Sequence, residues 1–280
     1  GHSFNFSAGL TMAPRSGFYG SLFYSHTTSN TTTDNQGSNA SSAWGATASI
    51  NNPNDIFLAS QVDALPHRVV GAISYRKEYL KHLATTVSLY YSGSSQGRYS
   101  FTYSADVNGD GIGNDLLYVP NNASELNFAP FTSGGVTFTA ADQAAAFNKL
   151  ISNSKYLDKT RGSIADRNGA LMPWYNRIDM KFLQDIFVNV GKAKNTVQLS
   201  LDIVNLANMI NSDWGIRKQL ITNASTPLRV ATGGGGTTPT FNMNTVNING
   251  QTVLPTEMYQ DVRTFGTTWS MQVGIRYLFN

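Results

Sequence analysis

The sequence predicts an all-β fold, the C-terminal portion of a transmembrane antiparallel β-barrel with about seven strands, long extracellular loops and one short loop helix. Three observations predict it. The closing stretch sets Trp269, Met271, Val273, Ile275, Tyr277 and Phe279 at every second position, with polar or small residues between them except Leu278. Side chains alternate faces along a strand, so one face is apolar and the other wet, with aromatics near both ends as on lipid-facing strands. Only 13% of residues are charged, against about a quarter in soluble domains. No apolar run is long enough for a spanning helix, so a membrane would be crossed by strands. The connections also alternate short and long, the asymmetry of barrels whose periplasmic turns are short and extracellular loops long.

In chain order, His2 to Met12 sets Phe4, Phe6, Ala8, Leu10 and Met12 against Ser3, Asn5, Ser7, Gly9 and Thr11, the period of a strand. Ala13 to Gly17 is a turn, because Pro14 presets one backbone angle and Gly17 accepts positive φ. Phe18 to His26 returns as the hairpin partner. Thr27 to Leu65 is polar and low in complexity, which reads as a long solvated loop. Arg68 to Arg76 alternates through Val69, Gly71, Ile73 and Tyr75, and a short connection near Lys77 to His82 leads into Leu83, Thr85, Val87, Leu89 and Tyr91.

Gly93 to Pro173 is the longest departure from alternation. Within it Thr139 and Asp142 match a capping box, and Ala144, Phe147, Leu150 and Ile151 share one helical side, so a helix packed on its own loop is expected. Trp174 to Val190, a turn over Gly191 to Asn195, and the run through Val197, Leu199, Leu201 and Ile203 form a third hairpin. A third long segment follows Asn208, with Gly233 to Gly236 as a flexible tip, before a closing strand expected from Val262.

Seven is an odd number, whereas bacterial single-chain barrels close with an even one. With the C-terminus in the periplasm, the first and last strands both run inward, so earlier strands are expected ahead of Gly1. Gly1 opens in mid-pattern with no signal peptide, as a mature fragment would.

Several chemistries are excluded or unsupported. No cysteine is present, which removes thiol catalysis, zinc-thiolate sites and disulfides. A net charge of +3 without a basic run gives no nucleic-acid signature. HExxH, GxSxG and a phosphate-cradling loop are absent, and no acid, base and nucleophile set can be assembled, so no enzyme is expected. His2, His26, His67 and His82 are scattered and suggest no metal site. Phe4, Phe6, Tyr75, Tyr91, Trp269, Tyr277 and Phe279 fall near strand ends, where an interfacial girdle explains them better than a sugar-stacking surface.

Two constellations carry candidate chemistry. Asp106, Asn108 and Asp110 place oxygens at alternate positions ahead of Gly111, as in the opening of a calcium loop. The Ile112 carbonyl would add an oxygen, and Asn114 or Asp115 would close the site, since Leu117 occupies the position of the usual Glu. The same residues also make a tight Asx/Gly turn without an ion, and the sequence leaves Ca2+ and the bare turn both open. Arg161, Asp166, Arg167, Asn168, Trp174, Arg177 and Asp179 cluster before and into a strand start. They read as substrate contacts at the outer mouth or, preferably, as a hydrogen-bond and ion-pair network pinning the loop to the rim, because lumen-facing charges need partners.

Three stretches resemble one family. Arg98 to Pro120 is similar to an extracellular-loop signature of Oar-like TonB-dependent receptors of Bacteroidota-type outer membranes. Arg161 to Trp174, continuing through Asn176-Arg177-Ile178-Asp179 and Gln184-Asp185, is similar to the stretch that follows it there. Asp202 to Asn208 resembles the Asn-Leu-Phe-Asn element near the last strands of TonB-dependent barrels, with Ala207 in place of the common Phe. The resemblance extends over roughly residues 60 to 280 and implies a barrel of about 22 strands with a plugged lumen, located in the cell outer membrane.

Family membership would imply ligand uptake through loops and plug, driven by TonB, with the plug and earlier barrel N-terminal to Gly1. It further implies that Trp269, Tyr277 and Phe279 belong to the assembly signal read by the barrel-assembly machinery. Asn280 after the terminal aromatic departs from the proteobacterial habit and suits a Bacteroidota origin. The rivals are a structural or adhesive barrel with calcium-stiffened loops, and a barrel held as a substrate of the assembly machinery.

Overall fold

The computed structural model describes every residue except 35–36, 56, 191–192, 235–236 and 280. Strand accounts for 51% of the chain, so the all-β expectation holds at that level. Among the described residues no helix is long and apolar enough to cross a membrane. Seven long strands form one antiparallel meander: β1 (His2–Arg15), β2 (Phe18–Thr31), β3 (His67–Tyr79), β4 (Leu83–Ser95), β5 (Trp174–Val190), β6 (Ala193–Val204) and β7 (Ser270–Phe279). Each pairs with its neighbours in sequence, and a two-residue strand, Ala59–Ser60, pairs with the far end of β2. β1 and β7 stand at opposite ends of the sheet order and run in the same direction.

The strand cores fall where two-residue periodicity put them, and the ends differ for local reasons. β1 reaches Arg15 through a register shift after Met12, so only Ser16 and Gly17, at φ 53° and 86°, make the turn. β2 continues to Thr31, and the connection after it is not wholly irregular. It contains α1 (Ala40–Ala46), whose N-terminus Asn39 caps by accepting the Ser42 N–H. The expected start of the last strand at Val262 is incorrect. Tyr259–Val262 instead pairs with Arg217–Leu220, and the Thr267 hydroxyl, donating to the Val262 carbonyl and accepting the Thr264 N–H, turns the chain before β7. The glycine tip and the Gly191 turn lie in part outside the described residues.

Register carries the apolar positions across the whole sheet. Leu10 faces Leu22, then Gly71, Tyr91 and Ile178 follow in turn across β3, β4 and β5. Met180, Ile203 and Met271 continue the row to β7. A core sheet would cover this face, yet Leu10, Val273 and Ile275 are 76%, 74% and 76% exposed. Rings gather toward the turn end, where Phe18 and Tyr75 are 4.4 Å apart. The other face is polar and paired: Arg76 to Asp185 at 2.7 Å, Lys181 to Asp202 at 2.8 Å and Arg177 to Asp179 at 2.8 Å.

The buried core lies elsewhere. The three long connections, 32–66, 96–173 and 205–269, leave the same end of the sheet, and the second and third share a core containing Phe101, Leu117, Val119, Phe147, Leu228 and Met243. The expected helix is α2 (Ala140–Asn153), with Thr139 and Asp142 capping each other and Phe147, Leu150 and Ile151 fully buried. It does not pack on its own loop alone, because Gln143 accepts the Met243 N–H from the third connection at 3.0 Å. Two shorter helices, α3 (Lys155–Lys159) and α4 (Leu206–Ile210), flank the strand starts.

Candidate functional site

The residues that cluster in sequence between Arg161 and Asp179 do not meet in one place; they form separate anchors at the loop end of the sheet. Arg161 donates to Asp158 (2.9 Å), the Asn121 carbonyl (2.9 Å) and Ser152 (3.0 Å), clamping the end of α3 to the loop before it. Asp166 is held through its N–H, which donates to the Tyr156 hydroxyl at 2.6 Å. Burial is the first cause raising the Tyr156 phenol above its ordinary value.

Arg167 reaches the other way. It is 2% exposed, donates to the Thr31 carbonyl at 2.6 Å and lies 4.8 Å over the Phe57 ring. Among the described residues its Nε is buried with no hydrogen-bond partner, and burial lowers its pKa. Asn168, in the left-handed region at φ 55°, donates to Asp34 (2.7 Å) and the Ser60 carbonyl (2.9 Å), while Ser100 accepts its N–H. Positive φ is well tolerated by Asn. These two residues therefore tie the second connection to the first. A recess of about 280 Å³ between them is lined by Trp44, Thr47, Asp55, Phe57 and Arg167.

Arg177 and Asp179 form the third anchor. Asp179 takes Arg177 and also accepts the Asn205 N–H at 2.8 Å. Asn205, at φ 56° and 2% exposed, donates onward to the Gly215 and Thr267 carbonyls. Asn208 donates to the Ser212 and Trp214 carbonyls and accepts the Trp269 N–H at 3.1 Å. The Asn-Leu-Ala-Asn stretch thus fastens both ends of the third connection. Sequence reading noted the motif but not these bonds; two buried asparagines around a short helix were the available signal. Trp174 belongs to none of these networks and sits on the apolar face, its indole donating to Asn176.

The acidic loop is wound on itself. Asp106 accepts the Gly109 and Gly111 N–H groups (2.6 and 2.8 Å), Asn108 accepts that of Asp110, and Asp110 accepts that of Ile112. Asp115 accepts the Val107 N–H at 2.9 Å and Asn108 Nδ2 at 2.8 Å. Burial first, then Asp110 and Asp106, raise the Asp115 carboxyl above its usual value. Asn114 turns away and contacts the first connection through the Thr47 carbonyl and Ser49. Among the described residues no group of three or more His, Asp or Glu side chains is placed to hold a metal ion together. The loop is Asx-turned through its own side chains, a winding that the two readings of the sequence share.

The terminal aromatics lie on the apolar face of β7 and at its start. Trp269, Tyr277 and Phe279 are 45%, 58% and 76% exposed, and Tyr277 donates to Asn195. The histidines are not all scattered: His26 and His67 stand opposite each other across β2 and β3. Compared with protein families, with curated proteins and with solved structures, the chain matches none.

Proposed function

We propose that the chain is the C-terminal portion of an outer-membrane β-barrel of the TonB-dependent receptor type, taking up a ligand across the outer membrane. The observation that carries this reading is the row of apolar side chains along one face of the seven-stranded sheet, widely exposed on β1, β2 and β7, backed by a polar, ion-paired face. Such a surface is costly in water and stable against hydrocarbon. Long connections confined to one end and joined by buried asparagines and Arg167 agree with extracellular loops organised for binding. In this reading lipid covers the apolar face, earlier strands and a plug complete the lumen, TonB acts through that plug, and the barrel-assembly machinery reads the last strand.

No native thiol lies among these 280 residues to compete with an introduced one. Single cysteines at positions 271–276, placed in the full-length protein in outer membranes, are probed with a lipid-soluble quencher and a water-soluble thiol reagent. Positions 271, 273 and 275 should respond to the first and 272, 274 and 276 to the second; equal responses would refute the barrel. Transport is tested separately, by capture of a TonB periplasmic domain on the full-length protein. An adhesive role would be favoured if no capture occurs and the loops alone bind cells.

A further inference from the structure

The sheet register joins two histidines that are distant in sequence. His26 and His67 are direct cross-strand partners at the base of the first connection, with ring centroids 4.9 Å apart and planes inclined by 33°. His26 Nδ1 lies 2.7 Å from the Pro66 carbonyl oxygen. A carbonyl oxygen only accepts, so Nδ1 carries the proton and Nε2 of the neutral ring holds a lone pair. His67 Nδ1 is 2.7 Å from the Tyr24 hydroxyl. In the tautomer whose Nδ1 donates to that hydroxyl, His67 likewise keeps its lone pair on Nε2, so Nε2 is the coordinating atom on each ring. Imidazoles oriented through the opposite nitrogen by a carbonyl or hydroxyl are arranged as metal ligands are.

We propose that His26 and His67 bind a borderline divalent transition-metal ion through their Nε2 atoms, with water completing the coordination. A Zn–N bond of about 2.0–2.1 Å, plus roughly 1.1 Å from nitrogen to ring centre, puts each centroid about 3.2 Å from the ion. Two rings at ligand angles of about 90–110° then stand about 4.5–5.2 Å apart, and the observed 4.9 Å falls within that window. Imidazole without thiolate or a carboxylate cage suits zinc, copper or nickel rather than calcium or magnesium. His67 is exposed and His26 half-buried, at the end of the sheet from which the long connections leave. Once bound, it ties β2 to β3 where the chain leaves for residues 32–66 and returns. The site depends on strand register alone and not on what the barrel carries.

The test uses the full-length protein carrying His2→Ala, so that the His2 imidazole cannot compete for the metal. Zn2+ is titrated by calorimetry at neutral pH. His26→Gln and His67→Gln should each weaken binding at least tenfold, Tyr24→Phe by a smaller factor, and His67→Cys should restore it, since a thiolate also takes zinc. Zinc should also slow proteolysis within 32–66. X-ray absorption at the zinc edge of the His2→Ala chain counts imidazole ligands without relying on a ligand variant: two support the site, and none or one overturns it. Binding that is absent, or equal in both Gln variants and their parent, would reduce the pair to a ring contact.

Discussion

Arg167→Ala offers the sharpest check on how the loop end is held. The guanidinium loses a short charge-assisted bond to Thr31 and its place over Phe57, worth about 1.5–3 and about 0.5–2 kcal/mol respectively. Against this, removing a buried Nε without a partner returns about 1–3 kcal/mol. The net is about 1.5 kcal/mol, or roughly a 13-fold rise in opening of the first connection. Amide exchange resolved by peptide should show that rise over residues 32–60 while β3 to β6 keep their protection. Arg167→Met, which fills the space without the charge, should lose less. Unchanged exchange over 32–60 in the alanine variant would refute the pinning role, and loss of protection throughout the sheet would show that the residue supports more than a loop contact.

Two further outcomes follow from the other anchors. Asn208→Ala strands two carbonyls and the Trp269 N–H, and should cost about 2–4 kcal/mol, read as faster exchange at the start of β7; Asn208→Asp, which keeps the acceptor but sets a buried carboxylate against the two carbonyl oxygens, should cost at least as much. Asp261 is held below its usual carboxyl value by Lys218 first and Arg263 next. Its contribution is therefore complete above the unfolded value near pH ~3.9 and is lost as pH falls through the lower folded one. Proteolysis of the Arg217–Leu220 and Tyr259–Val262 pair should rise only in that acid window, and Asp261→Asn should abolish the step.

What was legible in the sequence was whatever a short window could hold. β1 and β7 announce themselves because every second residue is apolar over ten or so positions, and α2 because Thr139, Asp142 and the Phe147 face lie within three turns. The loop core was not legible. Phe101, Leu117 and Val119 come from stretches too short to show a period, and they share a core with Phe241 and Met243, which lie far along the chain. The anchors from Arg161 to Asp179 were visible as a group of polar residues, but closeness in sequence concealed that each reaches a different connection. The histidine pair was invisible for the opposite reason, since only the register of β2 on β3 brings His26 to His67.

The placement of the buried core has a practical consequence. The cap of connections hides Phe101, Leu150 and Met243 from water as a small soluble domain does, while the sheet leaves its apolar residues outside. With lipid or detergent over that outer face, the two halves answer to different media. Urea, which solvates apolar and peptide groups in water, acts first on the cap; thinning the surfactant strips the sheet and leaves the cap intact. A melting curve in micelles would then have two steps, and their order could be reversed by changing the detergent and nothing in the chain.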